Sequence, residues 1–199
     1  STTPMLAVGA TLLTVDPLAV LFWTAAMLSG GRAVQENSRL SSWLWTGLWL
    51  GLGFLSKYSS PLMWLCWAVF FMVWPPARQH LRRPGPYLAL LINLLCALPV
   101  LIWNWQHDWI TVKHVAAHGG IGNAAAPFLK HISWFLEFLG AEFALLNPFF
   151  FVAAMIALVA PWRTTRRDGR LVYFFSMGAP VFLLYALLAL KSRAQPNWI

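Results

Sequence analysis

Long apolar blocks, each broken off by a short joint rich in Pro, Gly or Arg, decide most of what this chain can fold into. A backbone crosses lipid only where its own N–H and C=O groups pair internally, so such blocks read as membrane helices of roughly 20 residues. A transmembrane barrel would need segments of about ten residues with alternating polarity, and no sustained alternation runs through the sequence. Composition agrees: 59% of residues are hydrophobic and only 10% charged, against about 25% charged in soluble domains.

The formal net charge of +8 would suit nucleic acid if it formed one basic patch in water. The arginines instead gather in three joints, Arg32 with Arg39, Arg78 with Arg82 and Arg83, and Arg163 with Arg166, Arg167 and Arg170, separated by apolar runs. Positive-inside bias places such joints in the cytoplasm, and no nucleic-acid partner is expected. Cys66 and Cys96 fall inside apolar runs and read as buried thiols that carry no information on redox compartment. The chain opens on Ser1 with no charged leader, as expected of a piece of a longer chain rather than a signal peptide.

A first span begins at Pro17, with Asp16 placed to cap its first turn, and runs through residues 17–27 toward Ala33. Further spans are expected at residues 41–56, 61–74, 87–103, 148–160 and 171–190. Gly47, Gly51 and Gly53 leave room for close helix packing. Counting crossings between arginine joints leaves residues 126–147 on the outer side at both ends, so this stretch is expected to lie in the outer interface or to form a re-entrant pair. Trp134, Phe135, Phe138 and Phe143 beside Lys130, Glu137 and Glu142 suit an amphipathic interfacial helix. The expected fold is an all-α, polytopic integral membrane bundle of about six spans plus that outer helix, forming one transmembrane domain over residues 1–199.

The polar residues of the stretch WNWQHDWITVKHVAAH, residues 103–118, then need an explanation. The expected topology puts Asn104, His107, Asp108, His114 and His118 on the same non-cytoplasmic side as Asp16, Lys57, Tyr58, Glu137, Glu142 and His131, while the inner side is nearly pure Arg. Ionisable groups at a membrane mark functional sites by default. Each also has a plain reading: Asp16 as a helix cap, Lys57 as a snorkelling lysine at a helix end. His114 and His118 stand at i and i+4 and could face one metal, but no nearby Cys or Glu completes a ligand pattern, so no metal ligands are assigned. His107 and Asp108 are adjacent and do not face one another on a helix.

Thr14-Val15-Asp16-Pro17 followed by LAVLFW, then Gly51-Leu-Gly-Phe-Leu-Ser-Lys57-Tyr58, then Pro99-Val-Leu-Ile-Trp-Asn104 with Gln106-His107-Asp108-Trp109, form an ordered series. Lys191-Ser-Arg193 with Pro196-Asn197-Trp198 closes it. In order and spacing these motifs resemble the bacterial GT-C type membrane glycosyltransferases related to protein O-mannosyltransferases and to the lipid A aminoarabinose transferase, over nearly the whole chain. The resemblance implies transfer of a sugar from a polyprenyl-phosphate-linked donor to a lipid or protein acceptor at the periplasmic face of the bacterial inner membrane. It implies that Asp16 is the second acid of an outward cavity, that Lys57 lies near the lipid phosphate, and that the loop at His114 to His118 helps hold that phosphate. The family often has Arg where this chain has His118. The family's catalytic base sits in an outer loop after the first span, and the chain is expected to begin after that loop.

Such chemistry needs a base for the acceptor hydroxyl, cations for the leaving phosphate and a cavity that excludes water. Lys57 and Arg193 can supply cations, Arg in bidentate fashion, and Trp103, Trp105 and Trp109 offer faces for sugar stacking. Tyr58, Asn104, His107, Asp108, Asn197 and Trp198 complete the expected substrate-binding set. No cofactor is implied with certainty, and a divalent metal stays open. Two other classes compete: a lipid-linked-sugar transporter or flippase, which would prefer polar residues at mid-membrane depth and broken helices, and a scaffold subunit without chemistry.

Overall fold

A computed structural model describes residues 16–35, 39–118, 128–145, 148–159 and 168–191. All regular elements among the described residues are helical: α1 Asp16–Gln35, α2 Leu40–Ser56, α3 Leu62–Val73, a 3-10 helix Pro75–Arg82, α4 Gly85–Gln106, α5 Ile110–His118, α6 Phe128–Leu145, α7 Pro148–Val159 and α8 Gly169–Lys191. The all-α expectation is met, with element bounds within about three residues of those read from the apolar blocks, except that α1 extends past Met27 to Gln35. Three of the helices, α1, α4 and α8, are long and apolar enough to cross a membrane. At 17 residues α2 falls just short, and α3, at 12 residues, rises only about 18 Å, well under the roughly 30 Å of a hydrocarbon core.

The helices run up and down beside one another. Ser29 Oγ and Thr46 Oγ1 lie 3.1 Å apart, and Phe22 packs at Gly53, so α1 and α2 are antiparallel. Between α2 and α4 the backbones nearly touch: a Cβ on Gly47 would strike the backbone of Ala89, and one on Gly51 would lie 2.5 Å from Cys96 Cβ. That succession makes α2 and α4 parallel, and it is the close approach that small residues permit in lipid, where packing rather than hydrophobicity drives helix association. On the other side Tyr173 of α8 donates from its hydroxyl to the Met27 carbonyl at 2.7 Å. Its ring meets Phe70 edge-on at 5.2 Å and Trp67 at 5.5 Å. Trp67 in turn lies 5.1 Å from Trp43, so one buried aromatic cluster joins α2, α3 and α8.

Two chemically distinct ends result. Arg32, Arg78, Arg82, Arg83 and Arg170 gather at one, where Asp168 and Arg170 share a cleft with Gln35 and Trp74. Asp16, Lys57 and the C-terminal ends of α4 and α8 occupy the other. The arginine joint at residues 75–86, expected as a loop, is largely the 3-10 helix Pro75–Arg82, and within it Arg78 caps the end of α3: Nε donates to Phe71 O and Nη2 to Met72 O, both at 2.9 Å. α6 packs along α8, with Phe138 6.0 Å from Phe182 and both Phe138 and Glu142 buried. The apolar side of this expected interfacial helix is therefore at least partly covered by protein.

Across the bundle, Trp64 Nε1 donates to Asn93 Oδ1 at 2.9 Å, bridging α3 and α4. Interhelical bonds of this kind in membranes contribute about 0.6 kcal/mol on average. Trp64→Phe, which keeps the ring and deletes the donor, is expected to lower stability by about 1 kcal/mol, the lost bond plus an Asn93 oxygen left without its donor. Detergent-titrated unfolding would measure this, and Trp64→Phe combined with Asn93→Leu should recover part of the loss.

Candidate functional site

Asp16 opens α1 immediately before Pro17, and Lys57 leaves α2 in extended backbone (φ −150°, ψ 129°) with its N–H on Gly53 O at 2.8 Å. Antiparallel packing of the two helices brings these termini together, and Lys57 Nζ donates to Asp16 Oδ1 at 2.9 Å. Both side chains are largely withdrawn from solvent, 18% and 14% exposed respectively. Asp16 and Lys57 are thus an ion pair, beyond the separate cap and snorkelling roles that their positions alone would allow. In such partial burial the mutual attraction is stronger than at an open surface.

The pair stands at the wall of a cavity of about 240 Å³ between α1 and α8. Trp23 and Thr24 line it from α1, Ser59 from the turn after α2, and Phe182 and Tyr185 from α8. Apart from the ion pair the lining is mostly apolar, so one charged locus faces a pocket suited to an amphiphile with a polar head and a greasy body. The contributions of Trp23, Phe182 and Tyr185 were hidden in the sequence because they lie within apolar spans.

The turn after α4 reaches the same end of the bundle but does not line the cavity. His107 stacks on Trp103 at 4.2 Å and 14°, with its Nδ1 2.8 Å from Trp103 O. Asn104 is buried; its Nδ2 donates to Val100 O at 3.0 Å, and its Oδ1 has no hydrogen-bond partner among the described residues. Asp108 and Trp109 both adopt left-handed backbone, φ 53° and 57°. For a bulky Trp this conformation costs on the order of 1–3 kcal/mol and tends to mark functional loops. Asp108 and Trp109 are exposed, as is Tyr58, which packs edge-on to Phe54 at 5.4 Å. His114 is exposed on α5 and His118 ends that helix; Arg193, Asn197 and Trp198 lie outside the described residues. Of the expected set, the structure joins Asp16 to Lys57 and leaves the others outside the cavity lining or outside the described residues. Among the described residues no group of three or more His, Cys, Asp or Glu is placed to hold a metal.

Glu142 on α6 is a different case. It is buried, with Oε1 unpartnered among the described residues, and burial raises its carboxyl from the ordinary range to about 7. A folded-state pKa above the unfolded value means that the neutral acid is favoured by folding, so its contribution is complete below about pH 4.5 and is lost as pH rises through about 7. Stability is expected to fall across that window by an amount on the order of 3 kcal/mol. Glu142→Gln should flatten the profile and be more stable than the native protein at pH 8, as read from thermal unfolding in detergent at stepped pH.

Comparison with known proteins gives two findings. Residues 1–103 match the family described as dolichyl-phosphate-mannose-protein mannosyltransferase. The chain is also 30% identical over 197 residues to the lipid A galacturonosyltransferase RgtD of Rhizobium johnstonii, a match that covers 99% of this chain and 40% of that relative. The chain therefore spans well under half the length of this curated relative. No solved structure matches it.

Proposed function

The chain belongs to the dolichyl-phosphate-mannose-protein mannosyltransferase family of GT-C type membrane glycosyltransferases, and from that premise we propose that it forms part of an enzyme moving a sugar from a polyprenyl-phosphate carrier to an acceptor at the periplasmic face of the bacterial inner membrane. The observation that carries this reading is the Asp16–Lys57 pair at 2.9 Å beside the α1–α8 cavity. Its end of the bundle lies opposite the arginine-rich end, which positive-inside bias assigns to the cytoplasm. A six-span arrangement, with α2, α3 and α7 crossing alongside α1, α4 and α8, keeps all these ends on their assigned sides.

In this reading the donor's isoprenoid portion lies against Trp23, Phe182 and the apolar wall, and its phosphate meets the Lys57 ammonium. As the sugar–phosphate bond breaks, negative charge grows on the departing phosphate oxygen. A fixed cation in a site of low dielectric stabilises that charge more than it stabilises the ground state. Asp16 orients the Lys57 ammonium through their hydrogen bond. His114, His118 and Arg193 add positive or hydrogen-bonding groups for the phosphate, and Tyr58, Asn104, His107, Asp108, Asn197 and Trp198 form the wall toward sugar and acceptor. The left-handed turn at Asp108 and Trp109 supports that role, since strained loops are retained where positioning matters. The base that deprotonates the acceptor is not assigned to any of these residues. The name of the RgtD relative, 30% identical, favours a lipid acceptor of the lipid A kind over a protein.

Full-length protein in vesicles, supplied with labelled polyprenyl-phosphate sugar and lipid A, is expected to move label to the lipid. Absence of transfer with every donor sugar tried, together with movement of intact donor across the bilayer, would replace this reading with a flippase.

A further inference from the structure

On the opposite flank, α3 turns one continuous stripe, Trp64, Trp67, Ala68, Phe71 and Met72, toward α4 without closing on it. These positions recur at three- and four-residue intervals, so they form a single helical face. Trp64 reaches across to Asn93 at 2.9 Å, and from there toward the arginine end the two helices leave a groove of about 460 Å³, floored by Trp67 and walled on the far side by Tyr87 and Leu90 of α4. Its volume is within the range of about 300–1,000 Å³ of ligand clefts. Met72 and Tyr87 on the rim are exposed, 63% and 59%.

The groove is chemically graded along its length. Its body is aromatic and aliphatic, while its arginine end holds Arg78, with Arg82 and Arg83 exposed just beyond. Nε and Nη2 of Arg78 are fixed on the carbonyls of Phe71 and Met72, which pins the guanidinium in place at the groove mouth. A guanidinium has five N–H groups, so three remain directed elsewhere. An apolar trough ending at a fixed guanidinium complements a molecule with a hydrocarbon tail and an anionic head. A neutral helix from another protein would match the trough and leave the cation unmatched.

We propose that this groove is a binding site for an anionic phospholipid, with an acyl chain along the α3 stripe and the headgroup phosphate on Arg78. The shortness of α3 fits this occupant: at 12 residues the helix is shorter than the hydrocarbon core it crosses, and a lipid headgroup drawn in to Arg78 fills the missing depth at its end. The site is at the end opposite the Asp16–Lys57 cavity and does not depend on sugar transfer.

Full-length protein in detergent, equilibrated with equal amounts of phosphatidylglycerol and phosphatidylcholine and then examined by native mass spectrometry, should retain phosphatidylglycerol in preference by about fivefold, the ratio that one interfacial arginine confers. Arg78→Gln keeps a hydrogen-bonding cap for α3 and should abolish the preference. Ala68→Trp leaves Arg78 untouched, fills the trough and should reduce retention of both lipids to the level of nonspecific adducts. Equal retention of the two lipids by the native protein overturns the proposal. So does retention of neither, as when another helix of the protein covers the groove, and so does a preference that survives either substitution.

Discussion

Full-length protein carrying Lys57→Ala is expected to transfer sugar about 10²–10³-fold more slowly than the native protein, the range seen when one fixed group that stabilises developing charge is removed. The loss should fall on kcat more than on KM, because the growing phosphate charge interacts with the ammonium more strongly in the transition state than in the bound donor. Part of any change will be structural, since the variant leaves Asp16, 14% exposed, facing the cavity without its cation. An uncompensated carboxylate in that setting costs roughly 1–3 kcal/mol. The combined Asp16→Asn and Lys57→Ala variant separates the two effects. It should regain the stability lost by the single variant and recover none of the activity. Lys57→Arg keeps the charge but changes its shape from a point to a fork, and should retain intermediate activity. Transfer at the native rate by both Asp16→Asn and Lys57→Ala would remove these residues from the site.

The largest effect on folding is expected at the contact between α2 and α4. A Cβ on Gly47 would overlap the carbonyl and Cα of Ala89, and these are backbone atoms that cannot rotate aside. Gly47→Leu therefore has to push the helices apart, at a cost of about 3 kcal/mol from overpacking alone, and the Trp64–Asn93 and Trp43–Trp67 contacts that depend on their spacing would follow. The yield of monodisperse protein after membrane extraction and its unfolding midpoint should both drop sharply. Gly140 on α6 supplies the contrast, because a Cβ there meets nothing within 4 Å. Gly140→Ala should be neutral or add up to about 1 kcal/mol from helix propensity. Equal behaviour of the two variants would show that the α2–α4 approach does not govern stability.

Much of this architecture was legible in the residues because lipid leaves few choices. Apolar blocks must be helices, and arginine joints must remain on one side, so the grouping of Asp16 with Lys57 at one end followed from counting crossings. The partnership between them did not. Asp16 before Pro17 is a good cap and Lys57 after Ser56 is a good snorkelling residue, and nothing in their 41-residue separation records that α1 and α2 pack with those termini in register. The cavity lining was less visible still. Trp23, Phe182 and Tyr185 look like any residues of an apolar span, because which face of a membrane helix meets a neighbour is set by packing and leaves no polar stripe in the sequence. In the stretch 103–118 the polarity was plain in the residues, but the local contacts were not: His107 stacks on Trp103 and Asn104 donates to Val100 within the same helix end. The short α3 was legible because its apolar block ends before Pro75, and the helix stops at Val73, whereas the return of Arg78 to cap it was not.

The central claim is that a polyprenyl-phosphate donor occupies the cavity between α1 and α8 with its phosphate at Lys57. Full-length protein in vesicles, irradiated with a donor carrying a photoreactive group on its first isoprene unit and then digested for peptide mapping, tests it most directly. The label is expected on peptides from the first half of α1 and the second half of α8, around Trp23, Phe182 and Tyr185, and should be displaced by excess unlabelled donor. Displaceable labelling confined to other segments, with none on α1 or α8, would contradict the claim.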